Sequence, residues 1–346
     1  MPNRISEKIA QWQQGCPDGP SYNDIDAFIR FRAQESFETY NHGASIPRFE
    51  TRLEKWLDNL TDQNDQRKLF ELVPNLFFLG PGEFKALYRA SFQEIILNWL
   101  IDLRSIDIAS PKISQELQSV IKKTWFCPAT DSMDIAAFCH VNRVIGLPDR
   151  PPWRYLAKFG DLAKIRDYIK GNGIEQIVIL EDFIGSGSQF LGTDEKEKKK
   201  QRTILQTLKA IGHSCKVLIL PLIACQEGVD KINESAQKEG CDWIECNAAF
   251  ILSEVCFLPE DISSPSIQSR IAKMNDKERT NFSELHLLVE KIGLQHEFRY
   301  SSFGYNGTGS LVVLYTNCSD NTLAIIHEDI HSSWSSLFPR TSRVAP

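Results

Sequence analysis

The stretch from Glu181 to Gln189, with the sequence Glu-Asp-Phe-Ile-Gly-Ser-Gly-Ser-Gln, combines residue types that can hold a sugar phosphate. Glu181 and Asp182 follow four apolar residues, 177–180, which predict a strand buried on both faces of a sheet. Carboxylates at the end of such a strand can accept hydrogen bonds from sugar hydroxyls or contact Mg²⁺ through water. The small residues 185–188 can direct backbone N–H groups and hydroxyls toward a phosphate. The spacing predicts one site for a ribose and its 5-phosphate, and the alternative is a solvated turn after a buried strand that Glu181 and Asp182 merely cap.

Apolar strands and amphipathic helices alternate around this stretch, and they must position it. This alternation predicts an α/β fold with a doubly wound, mainly parallel sheet. Ligands bind such sheets at the carboxyl ends of the strands, where the acidic pair is expected. The predicted strands are residues 125–127, 177–180, 216–222 and 243–247, and the predicted helices of this region are residues 162–170, 197–211 and 228–238.

The rest of the chain predicts two additions to this core. Residues 1–115 are expected to form an arm and a helical region, residues 116–258 the α/β core, and residues 259–346 an extension of helices and a β-hairpin. The dipeptide Asn306-Gly307 is typical of a hairpin turn and predicts a hairpin with residues 298–303 and 311–316 as its strands. The large aromatic residues of the helical region predict either a docking surface or packing onto the sheet domain.

The acidic pair and glycine loop resemble the ribose-phosphate signature of type I phosphoribosyltransferases. Over about residues 50–340, the chain resembles the PRTase-CE group of bacterial conflict systems, which act in antiphage defence. The carrying features are the central loop, Leu76-Phe77-Phe78-Leu79 within a helical lead-in, and the segment from Asn321-Thr322-Leu323 to Leu337-Phe338-Pro339-Arg340. Phe183 and Ser186 depart from the commoner aliphatic residue and threonine of the signature.

The resemblance implies a type I phosphoribosyltransferase fold and a role for each residue of the loop. Glu181 and Asp182 would be the catalytic residues that face the ribose hydroxyls. The 5-phosphate would be bound by Gly185, Ser186, Gly187, Ser188 and Gln189. The ligand would be 5-phosphoribosyl 1-pyrophosphate (PRPP) or a ribonucleotide with Mg²⁺ carried by that ligand, and the reaction would occur at the anomeric carbon.

A pyrophosphate loop usually follows the first strand of this fold, which indicates Thr130, Asp131 and Ser132 as candidates. The alternative is a helix cap formed by Asp131 or Ser132. Arg143 and Arg150 are candidate pyrophosphate contacts, with solvated surface charges as the alternative.

The resemblance also implies a protein partner in a defence system, such as a reverse transcriptase or an ATPase, with nucleic acid reached only through that partner. A second hypothesis is a catalytically inactive sensor of a nucleotide or PRPP that regulates a partner protein. The glycine-free pyrophosphate loop and the lack of a recognisable base-binding hood favour this sensor.

A third hypothesis is a zinc metallopeptidase, because His327-Glu328-Asp329-Ile330-His331 matches the His-Glu-x-x-His pattern. In that case His327 and His331 would bind zinc and Glu328 would activate water. The context argues against it: residues 322–326 are expected to be extended rather than helical, and no metal-binding residue type follows His331.

Composition excludes several classes. Thirty-nine Lys and Arg residues against 45 Asp and Glu residues give a net charge of −6, which disfavours a whole-chain nucleic-acid binder. Apolar runs are far shorter than the roughly 20 residues of a membrane span, and the polar N-terminal residues do not form a signal peptide. We therefore expect a cytoplasmic protein without membrane contact. The nine cysteines include no Cys-x-x-Cys pair, which predicts free thiols.

Overall fold

The computed structural model of the chain describes residues 4–15, 20–40, 46–130, 132–144, 162–192, 203–330 and 333–340. The chain forms two compact units: unit 1 comprises Met1–Gly82 and Ser253–Pro346, and unit 2 comprises Glu83–Leu252. These boundaries differ from the expected three-part division at residues 115 and 258. The difference arises because the N-terminal helices and the C-terminal segment build a single core together.

The N-terminal part of unit 1 is helical, as the periodicity predicts, with one short strand that the sequence did not reveal. Side-chain caps start two of its helices, since Ser21 accepts from the amide of Asp24, and Asp62 accepts from those of Asn64 and Asp65. The elements are α1 (Arg4–Gly15), α2 (Tyr22–Glu35), α3 (Phe49–Asp58), α4 (Gln63–Leu72) and β1 (Phe77–Leu79), with 3₁₀ turns at Phe37–Thr39 and Val73–Asn75.

Unit 2 contains the alternating strands and helices. Its helices are α5 (Pro81–Ala90, which begins at the end of unit 1), α6 (Leu97–Arg104), α7 (Ile113–Lys122), α8 (Ile135–Val141), α9 (Leu162–Gly171), α10 (Ser188–Leu191), α11 (Ile204–Ile211) and α12 (Gln226–Lys238), with a π-helical turn at Ser91–Ile96. Its strands are β2 (Thr124–Pro128), β3 (Gln176–Ile184), β4 (Lys216–Ala224), β5 (Ile244–Cys246) and β6 (Phe250–Ile251).

The C-terminal part of unit 1 does not form the expected hairpin. It contains α13 (Pro265–Lys273), α14 (Asp276–Gln295), β7 (Val312–Leu314) and α15 (Ala324–His327), with 3₁₀ turns at Glu254–Cys256 and Tyr305–Gly307. Residues 298–303 are not a strand. Strand β7 instead pairs in parallel with β1, so that Phe78 lies opposite Val313. The hairpin prediction was wrong because a local turn signal says nothing of a partner strand far away in the chain.

Aromatic residues of the N-terminal helices and the C-terminal segment form the core of unit 1. Trp56 is fully buried, and its indole Nε1 donates to the carbonyl of Ile325 over 2.6 Å. The buried guanidinium of Arg52 donates to the carbonyl of Leu337 over 2.8 Å and lies over the ring of Phe338. Trp56 and Phe338 thus belong to the core of unit 1, whereas Phe28 and Phe31 of α2 are exposed, so this core accounts for only part of the aromatic richness.

The sheet of unit 2 is parallel, with the strand order β2-β3-β4-β5 and with β6 paired to β4 beyond the end of β5. Apolar residues of α9, α11 and α12 pack against one face. On the other face, the ring of Phe126 in β2 contacts Phe92 and Phe138, at centroid distances of 6.2 and 6.3 Å. Helices therefore cover both faces, which confirms the predicted doubly wound α/β fold.

Two further findings concern the described ranges as a whole. None of their helices has both the length and the apolar composition needed to cross a bilayer. The cysteines within them carry free thiols.

Candidate functional site

The acidic pair lies at a step in the edge of the sheet. Strand β2 ends at Pro128, which is paired with Leu180 of β3, whereas β3 continues to Ile184 beside β4. Glu181 and Asp182 are therefore within β3 rather than after it, at the first positions that β2 no longer covers. The residues that follow β2 can reach them there.

Two hydroxyl groups from the segment after β2 contact the acidic pair. Thr130 Oγ1 lies 2.8 Å and 3.0 Å from the two carboxylate oxygens of Glu181. Ser132 Oγ lies 2.5 Å from Glu181 Oε1 and 2.8 Å from Asp182 Oδ1. The two hydroxyl oxygens are 2.7 Å apart. Ser132 thus links the two carboxyl groups into one hydrogen-bonded cluster.

The acidic pair is buried, with Glu181 exposed by 2% and Asp182 by 7%. Burial raises the pKa of Glu181 well above its usual range, and the negative charge of Asp182 raises it further. The hydrogen bonds from Ser132 and Thr130 lower this pKa, but they offset only part of the effect. Buried carboxyl groups are costly unless they are paired, and here the hydroxyls of Thr130 and Ser132 provide hydrogen-bond partners for both.

The loop after β3 is shaped by glycine. Gly187 has φ +76°, a left-handed conformation that favours glycine, and it starts the one-turn helix α10. Across from the loop, a Cβ atom on Gly228 of α12 would overlap the carbonyl oxygen of Gly185. The loop therefore passes against the first turn of α12 with no room for a side chain.

Several polar groups of this loop are available to a ligand. Among the described residues, the amides of Ser186 and Gly187 make no hydrogen bond. Ser186 Oγ donates to Ser188 Oγ over 3.2 Å, and both side chains are half-buried. Successive amide groups in a glycine turn, with hydroxyls beside them, form an anion-binding concavity. Three residues separate Asp182 from Ser186, so one phosphorylated sugar can meet both the acidic pair and this concavity.

A comparison with models of known protein families finds a match that includes the acidic pair and the glycine loop. The family model PRTase-CE matches residues 53–340. The chain belongs to the PRTase-CE family. The match spans most of the chain and gives it a phosphoribosyltransferase-like domain. Neither the curated protein sequences nor the solved structures contain a significant match to the chain.

Within this PRTase-CE domain, the candidate pyrophosphate residues Thr130 and Ser132 face the acidic pair, and a pyrophosphate role for them stays a prediction. Asp131 lies outside the described residues. The alternative of a helix cap by Ser132 was wrong, because Asp134 caps α8 by accepting from the amide of Ala137 over 2.9 Å.

The two candidate arginines and Gln189 can be placed only in part. Arg143 is exposed just after α8, with φ +58°. Arg150 lies outside the described ranges. Gln189 is exposed in α10, directly after the loop residues 185–188.

The His-Glu-x-x-His segment does not form a zincin helix where the structure describes it. Residues 324–327 are helical rather than extended, but α15 ends at His327. His327 is fully buried, and its Nε2 donates to the carbonyl of Thr322 over 3.2 Å. The carboxylate of Glu328 accepts from the amide of Arg299 over 2.8 Å. His331 lies outside the described residues.

The sequence did not reveal two features of the site. One is the contact of Thr130 and Ser132 with the acidic pair, which depends on the register of β2 against β3. The other is the close packing of Gly228 against the loop, since the first turn of a helix does not itself require a glycine. A glycine just after a strand of a parallel sheet is a signal of close helix approach and could have indicated it.

Proposed function

We propose that this PRTase-CE chain binds a ribose 5-phosphate compound, PRPP or a ribonucleotide, and makes or breaks a bond at its anomeric carbon. One observation carries the proposal: a buried acidic pair lies at the carboxyl edge of a parallel sheet, and the glycine loop that follows it contains two amides, of Ser186 and Gly187, that donate to none of the described residues. Glu181 and Asp182 would accept hydrogen bonds from the ribose hydroxyls. The amides of residues 185–188 would hold the 5-phosphate.

The reaction requires little covalent chemistry from the protein. With PRPP, the bond between the anomeric carbon and pyrophosphate breaks, and a bond from that carbon to a nucleophile forms. The sugar becomes oxocarbenium-like in between, so the site contributes by holding ribose and phosphate in a fixed orientation. The negative charge of Asp182 near the ring would also favour the positive charge that develops there.

Magnesium would enter with the ligand. The described residues contain no cluster of three or more His, Cys, Asp or Glu side chains that could hold a metal by themselves. The oxygen-rich cluster of Glu181, Asp182, Thr130 and Ser132 nevertheless suits a hard cation that keeps its waters and binds phosphate oxygens. An Mg²⁺ ion held there with the ligand would supply charge neutralisation for a leaving pyrophosphate.

Isothermal titration of the full chain with PRPP and Mg²⁺ tests the proposal. We expect Asp182→Asn to weaken binding about tenfold to a hundredfold, because a hydrogen bond to a charged acceptor is lost. Asp167→Asn, an exposed position on α9 of the same unit, should bind as the wild type does. The proposal fails if the wild type does not bind PRPP, or if Asp182→Asn binds it equally well.

The catalytically inactive sensor is a second candidate. The observation in its favour is that the two hydroxyls of the candidate pyrophosphate loop are engaged with Glu181 and Asp182. Phosphorus NMR of the same mixtures separates the two candidates: pyrophosphate release that requires Asp182 supports the enzyme, and unchanged PRPP with intact binding supports the sensor.

The wider role is also a proposal. The resemblance to conflict-system proteins supports an effector in antiphage defence that acts in the cytoplasm with a protein partner, a reverse transcriptase or an ATPase.

A further inference from the structure

The acidic pair already has two hydroxyl partners within its own chain. Thr130 Oγ1 contacts both carboxylate oxygens of Glu181, and Ser132 Oγ contacts one oxygen of Glu181 and one of Asp182. The proposed function assigns the same oxygens to the hydroxyls of a ribose. A sugar and these side chains cannot occupy one set of acceptors together.

The two side chains present their hydroxyls in the manner of a sugar. Their oxygens are 2.7 Å apart, within hydrogen-bonding distance of each other. Hydroxyls on neighbouring carbons of a ribose ring are also held side by side at a comparable separation. Thr130 and Ser132 therefore offer the acidic pair the donor pattern of a vicinal diol.

Proton counting shows that the arrangement leaves the pair short of donors. Thr130 contacts both oxygens of Glu181 as well as Ser132, and Ser132 contacts Glu181 and Asp182, so five contacts join these groups. The two hydroxyls supply two protons, and the Glu181 carboxyl, whose pKa is raised by burial, can supply a third. Acceptors buried to this degree gain from additional donors, which a ligand can bring.

We propose that Thr130 and Ser132 are an internal substitute for the vicinal hydroxyls of the sugar, and that a ribose ligand binds by displacing them from Glu181 and Asp182. This inference rests on the proposed function, because it concerns the same acidic pair. It also sets the ligand class: only a sugar with two adjacent hydroxyls replaces both donors. A 2-deoxyribose leaves a buried carboxyl oxygen without its partner.

Isothermal titration with ribose 5-phosphate and 2-deoxyribose 5-phosphate tests the displacement. We compare the wild type with the double variant Thr130→Val, Ser132→Ala, which keeps similar side-chain volumes and removes both hydroxyls. The double variant should bind ribose 5-phosphate about tenfold more tightly, since no internal hydrogen bonds need to break. The wild type should prefer ribose 5-phosphate over the deoxy sugar by about tenfold or more.

The outcomes separate the displacement from the function. Equal or weaker binding by the double variant, with a wild type that binds, overturns the displacement and leaves the proposed function intact. Binding by the double variant alone supports both. A lack of binding in every protein contradicts the proposed function and, with it, the displacement.

Conservative variants guard against a folding defect. Thr130→Ser and Ser132→Thr keep both hydroxyls and should retain the wild-type affinity. If the double variant does not fold, the single variants Thr130→Val and Ser132→Ala take its place, and each should tighten binding by a smaller factor. Weaker binding by both single variants also overturns the displacement.

Discussion

Gly228, in the first turn of α12, packs directly against the carbonyl of Gly185 in the loop that follows β3. The contact is reciprocal, since a Cβ atom on Gly187 would lie 3.0 Å from the carbonyl oxygen of Gly228. The path of the loop, and hence the direction of its amides, is therefore set by the backbone of a helix that follows the next strand of the sheet.

The variant Gly228→Ala should displace this loop. Alanine stabilises a helix by roughly 1 kcal/mol relative to glycine. A methyl group here would overlap a backbone oxygen, however, and overpacking of this kind destabilises a protein by about 1–3 kcal/mol. We expect PRPP binding to weaken at least about tenfold, measured by isothermal titration, because misplaced amides no longer converge on the phosphate.

The matched control is Gly171→Ala at the end of α9, where nothing lies within 4 Å of an added Cβ. It should leave affinity unchanged. Equal affinities for Gly228→Ala and the wild type would show that the phosphate does not bind at this loop.

The raised pKa of Glu181 makes a prediction about stability that needs no ligand. A carboxyl whose pKa is raised by folding binds its proton more tightly in the folded state, so stability falls as the pH rises from the ordinary value toward the raised one. The Glu181→Gln variant removes this titration while Asp182 remains. Above about pH 4.3, its free energy of unfolding should fall less steeply than that of the wild type, by up to about 1.4 kcal/mol per pH unit.

Urea unfolding across this pH range measures the difference. The exposed Glu245 of β5 provides the control, and Glu245→Gln should follow the wild-type curve. Parallel curves for Glu181→Gln and the wild type would mean that Glu181 titrates alike in the folded and unfolded chain.

His327 predicts the opposite dependence. Burial lowers its pKa to about 4, against about 6.5 in an unfolded chain. The folded state therefore resists protonation, and stability is lost as the pH falls from about 6.5 to about 4, with a total on the order of 3 kcal/mol. The His327→Gln variant keeps a donor for the carbonyl of Thr322 but does not titrate, so its unfolding should be less sensitive to acid.

Urea midpoints at pH 7 and pH 5 test this expectation. The exposed His140 serves as the control, and His140→Gln should keep the acid sensitivity of the wild type. If His327→Gln loses as much stability in acid as the wild type does, the acid sensitivity has another source.

The sheet of unit 2 could be predicted from sequence because its strands are buried on both faces. Residues 177–180 and 216–222 are continuous apolar runs, a local pattern typical of strands in a parallel sheet. The glycine loop after the first run indicates which edge of the sheet binds a ligand. The acidic pair was placed at this edge for the same reason.

Features that depend on distant partners could not be predicted in this way. Strand β1 has only three residues, and it is a strand because Val312–Leu314 lies beside it. The contacts of Thr130 and Ser132 depend on where β2 ends relative to β3, which no local pattern encodes. The family resemblance assigned roles to the loop but did not foresee that the chain supplies its own hydroxyls there.

The hydrogen bond from Trp56 to Ile325 joins residues 269 positions apart in the chain. Unit 1 encloses Glu83–Leu252 in sequence, so its N-terminal helices leave the ribosome long before the segment that completes their core. During synthesis, the apolar surface of Trp56 and its aromatic neighbours stays exposed until the segment after Leu252 has been made, which is after the whole of unit 2. Nascent chains of this architecture therefore depend on the residues that follow Leu252 to bury helices α1 to α4.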